Sequence, residues 1–188
     1  MSLVVQKRHQ RAAAARVLLA LHAKGNLENP SMWSWEAVDR LPAWCLASAD
    51  ERVHLQLTCG TLYLSPDIRF WISKSALIAV QSLIGEMLFE RIMTKADTMQ
   101  LPRESVSAIV TDFGVDPANA EAGAVKELLM AAGSKVLCAT VHPDLPREML
   151  TASLGPSIGD ITEESAEVLL NAAQALVQES VASVSAAQ

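Results

Sequence analysis

Apolar residues return at helical intervals from about residue 3 to residue 24, and Gly25 with Asn26 then supplies C-terminal punctuation. The next stretch has Pro30 and Pro42 as breakers and admits a short helix over residues 34–40. Trp33 and Trp35 stand two apart, so they do not share a helical face. They bracket a turn, with one ring buried and the other partly exposed.

Residues 53–64 carry two patterns. Val53, Leu55, Leu57 and Cys59 alternate as a half-buried strand does, and Gly60 would turn a hairpin toward Leu62 and Leu64. The same residues form adjoining helical rows, and Asp50 and Glu51 suit a first helical turn. The surroundings are helical, so helix is preferred and the hairpin stays open.

Beyond it, Ser65 can cap a helix that has Pro66 at its favoured first position and carries Ile68, Phe70, Trp71 and Ile72. Over residues 73–93, Leu77, Val80, Ile84, Leu88 and Ile92 make one stripe, flanked by Leu83 and Met87. This is the expected central helix. Gly85 in its middle costs about 1 kcal/mol against Ala, a cost accepted where another backbone must come close.

A short helix is predicted from Pro102 to Gly114, burying Val106, Ile109, Val110 and Phe113. Another runs from near Pro117 and stops at Gly133. The apolar run "SKVLCATVH" reads as a buried turn, and "PDLPREMLTASLG" as one more short helix. Asp160 and Glu163 have capping-box spacing for a final helix reaching about Val181. The pattern predicts a mainly α fold: one compact multi-helix domain over 1–188, with one short hairpin as the open alternative at residues 53–64. Its N-terminal helix covers 1–25 and its C-terminal helix, with a frayed tail, 161–188.

Composition sharpens this. The 188 residues are 51% hydrophobic and 4% aromatic, with a mean hydropathy of +0.23. That is too apolar for disorder and long enough for a sizeable core. Charge is uneven. Residues 1–95 hold 11 Lys/Arg and 8 Asp/Glu, a net +3, and residues 96–188 hold 4 and 13, a net −9. The acidic half argues against nucleic-acid binding. The basic cluster at residues 6–11, "QKRHQR", has the charge to touch anionic lipid or nucleic acid, but a solvated helix face explains it more simply. Arg16 and His22 interrupt the apolar run that follows, so the start reads as an amphipathic helix of a cytoplasmic protein with no membrane insertion.

Chemistry-bearing motifs are few. No nucleotide-binding glycine fingerprint and no H-E-x-x-H occurs, so neither a cofactor nor a metal is expected. Cys45, Cys59 and Cys138 are three, far apart and without a C-x-x-C pair, which indicates neither a disulfide framework nor zinc. Cys59 with His54 or His142 could pair a nucleophile with a base. A buried structural cysteine is the simpler reading, and no catalytic residue is assigned.

Three sequence blocks carry a family likeness: "LPAW" at Leu41–Trp44, the apolar run around Gly60 leading to "PDIR" at Pro66–Arg69, and "LIGEML" at Leu83–Leu88. In this order and spacing, over a little more than half the chain, they resemble the YscK-like (SctK) accessory proteins of bacterial type III secretion. The resemblance implies a non-catalytic, mainly helical adaptor of the sorting platform. It would lie in the cytoplasm, peripheral to the inner membrane through protein partners. Those partners would be the cytoplasmic domain of the inner-membrane ring and the C-ring-like pod protein. The family brings no catalytic residues to this chain.

The alternatives are a small helical enzyme or ligand-binding protein with a buried pocket near Cys59 and His54, and a secretion chaperone or regulator. For partner contacts, the residues themselves single out Arg40, Arg69 and Trp71 on the basic half, because polar residues interleave the apolar ones in "DIRFWISK". On the acidic half they single out Glu164 and Glu167. The blander reading makes Trp71 core, Arg69 a solvated helix residue and the glutamates first-turn acids.

Overall fold

The computed structural model describes residues 3–23, 35–71, 73–96 and 121–186. They form eight α-helices and one 3-10 turn, and no strand occurs among them. The helices are α1 (Leu3–Ala23), α2 (Trp35–Arg40), α3 (Ala49–Ile68), α4 (Lys74–Ile84), α5 (Glu86–Ala96), α6 (Ala122–Ala139), α7 (Arg147–Thr151) and α8 (Glu163–Ala186), with the 3-10 turn at Ala43–Leu46. The helix expected between Pro102 and Gly114 lies outside the described residues.

The segment with two possible patterns is helical. Ser48 and Glu51 close a capping box at the start of α3: the Glu51 amide donates to Ser48 Oγ at 3.3 Å, and the Ser48 amide donates to Glu51 Oε2 at 2.8 Å. From Leu55 to Ser65 every residue of α3 is buried. A helix buried all round is the centre of its fold, so α3 holds the place expected of residues 73–93. The new helix expected at Pro66 does not start there. Pro66 sits in the last turn of α3, where it has no N–H for the Leu62 carbonyl, and Ser65 Oγ donates to that carbonyl instead at 2.7 Å.

The main partner of α3 is α6, and the two cross backbone to backbone. A Cβ on Gly60 would stand 2.0 Å from the Leu129 carbonyl oxygen, and one on Gly133 would stand 1.9 Å from the Gln56 carbonyl oxygen. Each glycine faces the other helix's main chain, so two helices meet at a distance no side chain allows. Gly133 therefore does not end a helix. α6 runs through it, and "SKVLCA" is its last turns.

Polar groups lock the crossing. Gln56, buried on α3, places its amide nitrogen 2.8 Å from the Met130 carbonyl, 2.9 Å from the Leu154 carbonyl and 2.7 Å from Ser134 Oγ. Ser134 Oγ in turn donates to the Leu154 carbonyl at 2.7 Å. Among the described residues no buried side-chain nitrogen or oxygen lacks a partner. A satisfied buried network fixes one arrangement, because a partial one would leave costly desolvated groups.

The expected central helix is broken at Gly85. Its φ of 91° ends α4, its N–H donates to the Gln81 carbonyl at 2.8 Å, and its own carbonyl accepts from Phe89 at 3.0 Å to start α5. A Cβ there would meet nothing within 4 Å. Gly85 thus serves a left-handed backbone angle; the close backbone approach expected there is absent, so a larger residue would meet strain in the backbone angle and no overpacking. The apolar stripe survives the break: Val80, Ile84, Leu88 and Ile92 are all buried.

Smaller expectations shift as well. The cap of α8 is Thr162, whose Oγ1 accepts from the Ser165 amide at 3.3 Å, and the helix reaches Ala186. Trp35 is 69% exposed, while Trp33 lies outside the described residues. No helix among the described residues is long and apolar enough to cross a membrane.

Candidate interaction surface

Helix α1 packs on α2 and the 3-10 turn, burying Ala14 and Leu18. Arg11 ties the junction: its guanidinium forms a two-pronged ion pair with Asp39, Nε donating to Oδ1 at 2.6 Å and Nη2 to Oδ2. It also stands 5.9 Å over the exposed Trp35 ring. The Arg11 hydrogen bond holds the Asp39 carboxyl below its ordinary range, aided by the Arg11 and Lys7 charges.

Next to this junction α1, the 3-10 turn, the start of α3 and the C-terminal half of α8 enclose an open groove of about 630 Å³. His9 and Ala13, Leu46, Leu55, Val177 and Gln178 line it. Apolar Leu46, Leu55 and Val177 share it with polar His9, Glu51, Gln174 and Gln178. Sequence alone gave no sign of it, because its walls come from three segments far apart in the chain.

The residues singled out from sequence take distinct places. Arg40 ends α2 and pairs through Nη1 with Asp144 Oδ2 at 2.9 Å, joining α2 to the loop after α6. Arg69 follows α3 and donates through Nη2 to the Met93 carbonyl on α5. The two arginines thus serve different junctions. Both side chains are exposed.

Trp71 is a correction. It is 4% exposed, its Nε1 donates to Asp67 Oδ2 at 2.9 Å, and the ring belongs to the core. The turn after α3 points the neighbouring Phe70 outward instead, 58% exposed. Glu164 and Glu167 share one exposed face at the start of α8, as their spacing of three requires.

The cysteines are embedded in packing. Cys59 has no exposed surface and Cys45 is buried, and desolvation pushes both thiols up to about 12. A thiol in that state is held neutral at physiological pH. His54 lies five residues from Cys59 on α3, which places the two on different sides of the helix. His142 Nδ1 accepts from the Asp144 amide at 3.2 Å. Among the described residues no cluster of His, Cys, Asp and Glu has the makings of a metal site.

The fold and surface together define a helical protein with a locked interior and its charged and concave features on the outside. No protein-family model, curated protein or solved structure matches the chain.

Proposed function

We propose that this protein is a non-catalytic adaptor of a type III secretion sorting platform, binding the inner-membrane ring's cytoplasmic domain on one side and the C-ring-like pod protein on the other. The observation that carries the reading is where the family-like residues fall. Leu41 and Trp44 are buried under α1, Gly60 is the crossing glycine, Pro66–Arg69 closes α3 and reaches α5, and Gly85 is the break between α4 and α5. The likeness therefore lies in the residues that build the frame.

An adaptor has to hold two partners at a fixed separation. The Gly60–Gly133 crossing with its Gln56–Ser134 lock supports that role, since a close-packed, fully satisfied crossing resists shear. The opposite charge of the two halves supports unlike partners. Cys59 buried and neutral speaks against the rival reading of a thiol enzyme with His54 as its base. The protein would work in the cytoplasm and reach the inner membrane through its ring partner.

The test uses the full chain with purified ring domain and purified pod protein, by titration calorimetry at low and high salt. Arg69→Glu and the pair Glu164→Lys/Glu167→Lys should each weaken a different partner, with rim-charge effects that fade in salt. If neither purified protein binds, the adaptor reading is wrong. If both bind but neither set alters either affinity, contact runs through apolar surface such as the groove between α1 and α8.

A further inference from the structure

We propose that α1, together with Trp35, forms a docking face for an anionic lipid surface. This stands apart from the adaptor reading, which places the protein near a membrane only through other proteins.

The charge of α1 is all of one sign. Lys7, Arg8, Arg11 and Arg16 are its charged residues, and it contains no Asp or Glu, in a chain whose net charge is −6. Arg11 is neutralised by Asp39. Among the described residues, Arg8 and Arg16 enter no salt bridge and both are exposed. Of the acids on the adjoining α2, Asp39 is taken up by Arg11 and Glu36 stands one residue from Trp35.

The apolar part of the face lies beside these cations. Arg8, Ala12, Ala15 and Leu19 follow one stripe of α1 by their spacings of four, three and four. That stripe is turned away from Ala14 and Leu18, which pack inward. Leu19 is 58% exposed at one end of it. Trp35 closes its side, and Arg8, Arg11, Ala12, Ala15 and Trp35 together enclose a shallow depression of about 380 Å³. Its lining is the Ala12 and Ala15 methyl groups, the Trp35 indole, the Arg8 guanidinium and the Arg11 guanidinium that Asp39 already pairs.

Such a face asks for an occupant that is anionic and apolar at adjoining points. Guanidinium groups pair with phosphate oxygens, and indole rings settle at the boundary between headgroup and acyl chain. A phospholipid of an anionic leaflet offers both within one molecule. A purely acidic peptide satisfies the arginines and leaves Trp35 and Leu19 in water. Alanines at Ala12 and Ala15 keep the stripe low, which suits a flat surface. No helix among the described residues is long and apolar enough to cross a membrane, so contact of this kind stays at the bilayer surface.

The experiment is flotation of the full chain with vesicles of phosphatidylcholine, with and without phosphatidylglycerol, at low and high salt. Binding to the anionic vesicles, weakened by salt, is expected. Each unit of basic charge near an anionic bilayer raises binding roughly fivefold, so Arg8→Glu/Arg16→Glu should lower it more than about a hundredfold. Trp35→Ala should lower it several-fold. The control pair Lys74→Glu/Lys126→Glu makes the same charge change on exposed positions of α4 and α6, and should float far better than the α1 pair. Circular dichroism melts identify any variant lost to unfolding. No flotation, equal flotation with both vesicles, or equal loss in the control pair would overturn the proposal. So would binding of poly-glutamate without binding of vesicles, which would assign the face to an acidic protein segment. Loss of vesicle binding with both protein partners still bound would leave the adaptor reading standing.

Discussion

Replacing Gly60 with Ala adds one methyl group where none can stand. The new Cβ would lie 2.0 Å from the Leu129 carbonyl oxygen and 2.8 Å from its carbon, and ordinary contact begins at 3.4 Å. Both obstacles are main chain and cannot swing aside, so α3 and α6 must part by roughly 1.4 Å at the crossing. A gap of that order exceeds the roughly 1 Å that already forfeits about half of the dispersion well across the facing atoms. Overpacking costs about 1–3 kcal/mol where side chains share the strain, and this site belongs at the upper end. Alanine's better helix propensity returns up to about 1 kcal/mol. The net expectation is a loss of about 2–3 kcal/mol, which lowers Tm by roughly 4–12 °C for a chain of this size.

Gly123→Ala is the matched control. It makes the same change in the first turn of α6, where a Cβ would meet nothing within 4 Å, so its melting temperature should hold or rise. Gly133→Ala should fall as Gly60→Ala does, because its Cβ would lie 1.9 Å from the Gln56 carbonyl oxygen. The double variant should lose less than the sum, since one separation of the helices relieves both clashes. Thermal and urea unfolding followed at 222 nm reads all four. A Gly60→Ala protein that melts with the wild type would refute a backbone-to-backbone crossing, and equal losses at Gly60 and Gly123 would refute the reasoning from space.

At Gly85 the constraint is the φ of 91° and not room, so Gly85→Ala and Gly85→Leu should cost about the same, roughly 1–2 kcal/mol each in urea midpoints; a much larger loss for Leu would restore the overpacking explanation. Removing the lock with Gln56→Leu takes the Gln56 amide from the buried Met130 and Leu154 carbonyls, leaves the Ser134 hydroxyl as the one side-chain donor between them and should cost about 1–3 kcal/mol, while an exposed change such as Gln178→Leu should stay within about 0.5 kcal/mol. Asp39 is held below its ordinary range by Arg11, so the folded state binds its proton less readily than the unfolded one. The stabilisation is therefore fully present above the unfolded value near 4 and is lost as pH falls through the lower folded value. Wild type should out-melt Asp39→Asn at pH 6 and converge with it in strong acid, and a constant difference across that range would exclude the ion pair as its source.

The chain's helical character was legible because Ala and Leu dominate and apolar positions recur at helical intervals. The stripe through Val80, Ile84, Leu88 and Ile92 was also readable, and the break inside it was not. Periodicity counts positions, and the positions still fall on one face after the chain turns at Gly85. The glycines misled in a consistent way. Gly60 offered a hairpin turn, Gly85 a close contact and Gly133 a helix end, whereas Gly60 and Gly133 are the close contact and Gly85 is the helix end. A usable signal was present: "TCGT" around Gly60 and "AAGS" around Gly133 each give four small residues in a row inside a long apolar helix. Small residues in two such helices mark where they can approach. Of the residues singled out for contacts, Arg40, Arg69, Glu164 and Glu167 are exposed, and Trp71 is not. An interleaved run such as "DIRFWISK" shows that one face is outside without showing which, and here Phe70 took it. The groove between α1 and α8 had no local trace, since its walls are more than a hundred residues apart in sequence.

The central claim is that one chain joins two different proteins at once. Multi-angle light scattering on the full chain mixed with the purified ring domain and the purified pod protein tests it most directly. The account predicts a ternary species containing all three, which resolves into two binary complexes when either partner is withheld. Mutually exclusive binary complexes, or a stable complex only with a single secreted polypeptide, would contradict it.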